Sequence, residues 1–275
     1  MSTSPPREIR TRARARVART QARGTHGPSS YQYTRTRRPT NTSILTPTPP
    51  QLTVPFSWNW GALHSRDDVS SDVDLLAFAE ATRHYNRIVE AFFGDTSAFA
   101  KLTASTINNN LGKVEDAVRR DPRRRRTLRA MIRLEKEDDR IHAPGAVLAD
   151  PSGALGMVWT ARGLSLWVHF FMHMDRQRRD PTLGEAGLRA AFCRAFDASF
   201  GTIAGWWAQR AFHLGSLIVT GQWDGPTGLA LAVGPTVELV ERDMMEWHAQ
   251  MTKLLERVQR ILEEYDCNDQ RASAF

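Results

Sequence analysis

From Val237 to Tyr265 the apolar residues keep a single spacing. Val237, Val240, Met244, Trp247, Met251, Leu254, Val258, Ile261 and Tyr265 step by three or four without a break. That is the period of one helix face, and Glu, Arg, Gln and Lys fill the other side. A helix this long with one apolar stripe needs other helices to cover the stripe. The chain from Asp72 onward supplies them. Leu75, Leu76, Ala79, Ile88, Val89, Phe92 and Phe93 predict a helix over roughly 71–93, broken by Gly94-Asp95. A second runs over roughly 97–119. Asp121-Pro122 reads as an N-cap and first-turn pair, starting a third helix that runs to about Asp138. Two prolines and two glycines make 142–153 a loop. A fourth helix spans about Leu155 to Arg176, and a fifth region, 184–219, bends near Gly201 and Gly205. A Gly-rich loop follows at 221–234. SLIVTGQW is the one β-like stretch, too short to carry a sheet. The class is all-α, with helices packed in layers.

Charge divides the chain before any motif does. The formal net charge is +7. Residues 1–40 hold ten arginines against Glu8 alone, which is +9, so the remainder carries −2. This tail is rich in Arg, Ser, Thr and Pro and has too few apolar residues to fold alone. It fits a disordered extension, an organelle transit peptide, or an arm for an anionic surface or nucleic acid. Residues 41–65 read as a Pro/Thr-rich linker whose Trp58 and Trp60 pack on the domain. The expected division is therefore 1–65 extension and linker, 66–268 folded domain, and 269–275 tail. No apolar segment follows the start as a secretory signal would, and no stretch is apolar enough to span a membrane. Two cysteines, Cys193 and Cys267, give no disulfide framework and fit a reducing, cytoplasmic setting. Cys193 lies in an apolar stripe, as a buried thiol would.

Three stretches invite a chemical reading. In STINNNLGKVE, helical spacing puts Thr106, Asn110 and Lys113 on one face. A hydroxyl, an amide and an ammonium there make either a solvated face or a polar recognition patch. In MVWTARGLSLWVHFF, Trp159 and Arg162 share a face at i, i+3. They read as a core indole with a snorkelling arginine, or as a ring and guanidinium that meet a sugar or phosphate. RRRR at 123–126 stands at the expected helix start, whose positive end calls for solvent or an external anion. His169 and His173 lie at i, i+4 but lack the intervening glutamate of a metalloprotease and a third ligand. They read as partly buried histidines rather than a metal site. There is no phosphate-cradling loop and no nucleophile elbow, and the acid pairs 138–139 and 263–264 diverge on a helix. No enzyme, cofactor or metal is expected.

Taken in order, TINNNLGK, TLRAMIRLEKE, VWTARGL and AFDASFGTIAGWWAQRAF resemble the glycolipid transfer protein family over roughly 70–266. The resemblance implies a two-layer all-α sandwich with lipid chains in an apolar pocket between the layers. It implies a headgroup site in which Asn110 and Lys113 match the family's asparagine and lysine. Trp159 matches its stacking tryptophan and Arg162 a nearby arginine. Two positions depart. Thr106 stands where the family has an aspartate, and Ala204 where it has a histidine before Gly-Trp. Those two family residues anchor a ceramide's amide and hydroxyl, so a glycerolipid or weaker binding becomes an alternative to a sphingolipid. The family's phosphate-binding branch has an arginine where Trp159 stands, which favours a sugar.

The expectation is a lipid-binding protein that transfers a glycolipid or sphingolipid between membranes. It would be monomeric, touch membrane surfaces transiently, and use Thr106, Asn110, Lys113, Trp159 and Arg162 at the headgroup, with Ala204 beside them. A lipid sensor or scaffold without transfer is the first alternative. Nucleic-acid binding through the arginine tail is the second and the less expected.

Overall fold

The computed structural model describes residues 71–93, 98–138, 141–143, 147–180, 187–201 and 234–267, and the single positions 210, 212, 213, 216 and 230. The extension and linker expected at 1–65, with Trp58 and Trp60, and the tail at 269–275 lie outside them. Among the described residues, helices α1 (Leu75–Phe93), α2 (Ala98–Arg120), α3 (Leu128–Glu137), α4 (Gly153–Arg179), α5 (Leu188–Phe200) and α6 (Val237–Glu264) carry the fold. Two two-residue strands, β1 (His142–Ala143) and β2 (Val147–Leu148), pair antiparallel inside the loop expected at 142–153. Strands this short leave no alternation for a sequence reading to detect.

The third helix starts later than Asp121-Pro122 predicts. Asp121 does cap, but it caps a turn: its carboxylate accepts from the Arg124 amide at 3.1 Å and its carbonyl from the Arg125 amide at 2.9 Å. Thr127 then pairs with Asp74 in an antiparallel bridge. The Leu75 amide donates to the Arg126 carbonyl and the Leu128 amide to that of Val73, both at 3.0 Å. Backbone held extended in this way cannot turn helical before Leu128.

Helix α4 is the hub, packing against α2, α3, α5 and α6. Its first turn has two sources of capping. The Ser152 hydroxyl accepts from the Leu155 amide, and the fully buried Glu135 of α3 accepts from the amides of Gly153 and Ala154 at 2.7 and 3.0 Å. A carboxylate at a helix N-terminus meets both unpaired amides and the positive end of the dipole. The core joins α1, α4 and α6 through aromatics. Tyr85 stacks on Trp247 with centroids 4.8 Å apart and meets Trp167 edge-on at 6.1 Å, while Phe171 meets Trp247 edge-on at 5.3 Å. Each such pair contributes about 0.5–1.5 kcal/mol beyond its area. Arg83 grips Glu115 through both terminal guanidinium nitrogens and ties α1 to α2. Helix α5 ends at Phe200 with Gly201 as its C-cap; Gly205 lies outside the described residues.

Candidate functional site

Helices α2 and α4 approach closely because glycines line the face of α4 that meets α2. A Cβ at Gly156 would overlap the Asn110 carbonyl oxygen and come within 3.0 Å of the Lys113 Cβ. One at Gly163 would meet Ile107 at 3.3 Å, and one at Gly153 the Ala117 Cβ at 2.8 Å. As numbers rise along α4 they fall along α2, so the two helices run antiparallel. About 100° per residue then puts Thr106, Asn110 and Lys113 on one flank of the α2 contact line. The same rule puts Trp159 and Arg162 on the flank of α4 that looks the same way. The two polar stretches of the sequence therefore lie on the same flank of a single seam.

The individual side chains are held as follows. Asn110 is buried, 8% exposed, and its amide donates to the Thr106 carbonyl at 3.0 Å. The Thr106 hydroxyl donates back to the Leu102 carbonyl at 2.8 Å. Lys113 reaches Asp150, beside the start of α4, at 2.8 Å. Trp159 is half-buried against the core, lies parallel to Phe200 at 6.4 Å, and carries the Arg162 guanidinium over its ring at 4.9 Å. These contacts are those of the core reading of Trp159, with Arg162 lying over its ring. Ala204 lies outside the described residues.

The other asparagines have separate roles. Asn108 accepts a 3.1 Å hydrogen bond from the buried Asn86 of α1, and Asn109 is exposed. At Asn108 this contact with a neighbouring helix offsets a poor helix propensity.

Other expectations shift. The arginines at 123–126 precede α3 and are not one solvated face. Arg125 is buried on Asp138, Arg126 pairs with Asp74 at 2.8 Å and Arg124 with Asp121 at 4.0 Å. Cys193 is only part-buried, with its sulfur 3.3 Å from the Ser216 hydroxyl. His169 and His173 are part-buried, as expected. Burial lowers both pKa values, helped at His169 by His248 and at His173 by Arg194. Among the described residues no cluster of His, Cys, Asp or Glu could hold a metal, and no helix is long and apolar enough to cross a membrane.

Sequence reading missed Asp150 and Glu135. Asp150 gives no local signal. Glu135 does, since it continues the apolar stripe of Leu128, Met131 and Ile132 at helical spacing, where a carboxylate must be buried and bonded.

The sequence model of the glycolipid transfer protein family matches residues 73–222. No curated protein matches the chain. Among solved structures, human ceramide-1-phosphate transfer protein in complex with 12:0 ceramide-1-phosphate aligns with a TM-score of 0.63 at 17% identity, over 78% of this chain and 96% of that one. FAPP2, described as selecting simple glycosphingolipids with this fold, gives 0.60 at 17%, over 74% and 92%. The fungal glycolipid transfer protein HET-C2 gives 0.55 at 14%, over 70% and 86%. At such identities these likenesses establish the fold, the all-α class expected from the sequence.

Proposed function

The chain belongs to the glycolipid transfer protein family, and we propose that it binds a single membrane lipid and moves it between membranes. The headgroup lies over Asn110, Lys113, Trp159 and Arg162, and the chains enter an apolar pocket between the helical layers. The observation that supports this reading is the glycine-lined seam, where α2, which bears Asn110 and Lys113, packs closely on α4, which bears Trp159 and Arg162. A sugar offers hydroxyls and an apolar ring face. Amide and ammonium suit the first, and indole suits the second. Thr106 can share one hydroxyl bond with a ligand but brings no charge, so a ceramide amide gains less here than on a carboxylate. The chemistry is carriage, without a catalytic step.

Native mass spectrometry of the purified chain should show one lipid per protein. Vesicle-to-vesicle assays with fluorescent glycosylceramide, glycosyl-diacylglycerol and ceramide 1-phosphate should then show transfer, greater for the sugar-bearing pair. Bound lipid without transfer would support a sensor. No bound lipid and no transfer of any of the three would overturn the reading.

A further inference from the structure

Lys113 does not stand alone on its flank of the seam. Its ammonium is 2.8 Å from a carboxylate oxygen of Asp150, with the lysine side chain 24% exposed and the aspartate 59%. A pair this open adds little to stability, so its consequence lies in charge. Asp150 is not needed to cap α4. The three leading amides of that helix, on Gly153, Ala154 and Leu155, already meet Glu135 and Ser152. The backbone around Asp150 is nonetheless fixed on both sides. The Ala149 amide donates to the Ile141 carbonyl at 2.9 Å, and the buried Ser152 accepts from the Leu155 amide at 3.1 Å. Asp150 is therefore a carboxylate set in a fixed place against the ammonium, with more than half of its side chain open to a ligand.

Without Asp150 the flank would carry two cations, Lys113 and the Arg162 guanidinium that lies over the Trp159 ring. Two cations on one flank suit a phosphate. Asp150 cancels one of those charges and sets an acceptor against the ammonium. Headgroups of different chemistry respond to that pair in different ways. A sugar hydroxyl both donates and accepts, so it can bridge ammonium and carboxylate. An ionised phosphate monoester only accepts. It carries a charge of about −1.5 to −2 and meets the carboxylate as a like charge.

Resting on the lipid-carrier reading proposed above, we infer that Asp150 is a specificity-determining residue of the headgroup site. It admits an uncharged sugar headgroup at Lys113 and disfavours a phosphate there.

The test uses the full chain and two matched lipid pairs in the vesicle assay. Glycosylceramide is set against ceramide 1-phosphate, and glycosyl-diacylglycerol against phosphatidic acid, so that only the headgroup differs within each pair. Asp150→Asn keeps the size of the side chain and removes its charge. It should raise transfer of the phosphate lipid relative to the sugar lipid about five- to tenfold, the effect of one charge contact at a part-exposed site. Asp150→Ser should do the same, and it decides alone if the first variant fails to fold. Glu263→Gln removes one negative charge from the exposed face of α6 and should leave the ratio within about twofold. A wild-type chain that transfers none of the four lipids removes the lipid-carrier reading, and this inference with it. A wild-type chain that does transfer, with a ratio unchanged by either Asp150 variant or changed as much by Glu263→Gln, overturns this inference alone. An equal loss of sugar and phosphate lipids in the Asp150 variants also overturns it, and makes the pair with Lys113 a structural one.

Discussion

At Trp159 one indole serves two purposes. It is half-buried against the core and beside Phe200, and it lies beneath Arg162. Trp159→Ala should therefore cost less than the roughly 3–5 kcal/mol of a fully buried ring, about 2 kcal/mol including the lost cation–π contact. Transfer should fall much further than that stability loss explains. Lys113→Ala removes a part-exposed ion pair with Asp150, which contributes at most about 1 kcal/mol. Asn110→Ala removes a buried amide bond of roughly 0.5–1.5 kcal/mol. Both should leave the protein folded and slow lipid transfer. Urea unfolding and vesicle transfer on the same three variants separate the roles; normal transfer by all three would remove the headgroup site from this seam. The shared helix faces of Asn110 with Lys113 and of Trp159 with Arg162 were legible because each pair sits three residues apart on a helix. Asp150 was not, because a partner brought in from a distant loop leaves no periodic trace.

Between elements, the α2–α4 seam depends on what is missing from Gly156. A methyl there would overlap a backbone carbonyl, which no rotamer change relieves. Gly156→Ala should destabilise by about 1–3 kcal/mol, as overpacking does, and should also lower transfer because it pushes Trp159 away from Asn110. Wild-type stability in denaturant would mean the helices are not in close contact. Glu135 acts between α3 and α4. Glu135→Ala leaves two buried amides of α4 unbonded and should cost roughly 2–5 kcal/mol, while Glu135→Gln keeps an acceptor and should recover part of that. Equal losses for the two would mean the carboxamide cannot replace the cap. The helices themselves were readable from their apolar period, α6 to within a residue of its observed end. The start of α3 was not, because the 73–75 segment holds Thr127 extended, and no local preference encodes a contact with residues over fifty positions away.

Across the whole molecule, acid should loosen the helical packing before it discharges the carboxylates. His84, His169, His173 and His248 all have pKa values below the ordinary 6.5, and in each burial is the largest cause. Neighbouring cations add to it: Arg87 at His84, His248 at His169, and Arg194 at His173; at His248 the nearby Asp175 opposes it. A depressed folded pKa means that the unfolded chain binds protons first. Stability is therefore complete above about 6.5 and is lost as pH falls through that value toward the folded pKa values. Asp74 titrates separately. Burial alone would raise its pKa, but the Arg126 guanidinium and the amides of Ala77 and Leu76 outweigh it and hold the pKa below 3.8, so its share is lost only in stronger acid. The unfolding temperature should stay level from about pH 8 to 7 and decline from about 6.5 to 5. His169 of α4 and His248 of α6 repel each other once protonated, which places the first loosening where these helices pack. His169→Gln keeps a polar side chain of similar reach without the charge, and it should flatten the decline without shifting the plateau by more than about 1 kcal/mol. A wild-type curve that is level down to about pH 4 and falls only there would assign acid sensitivity to the carboxylates instead.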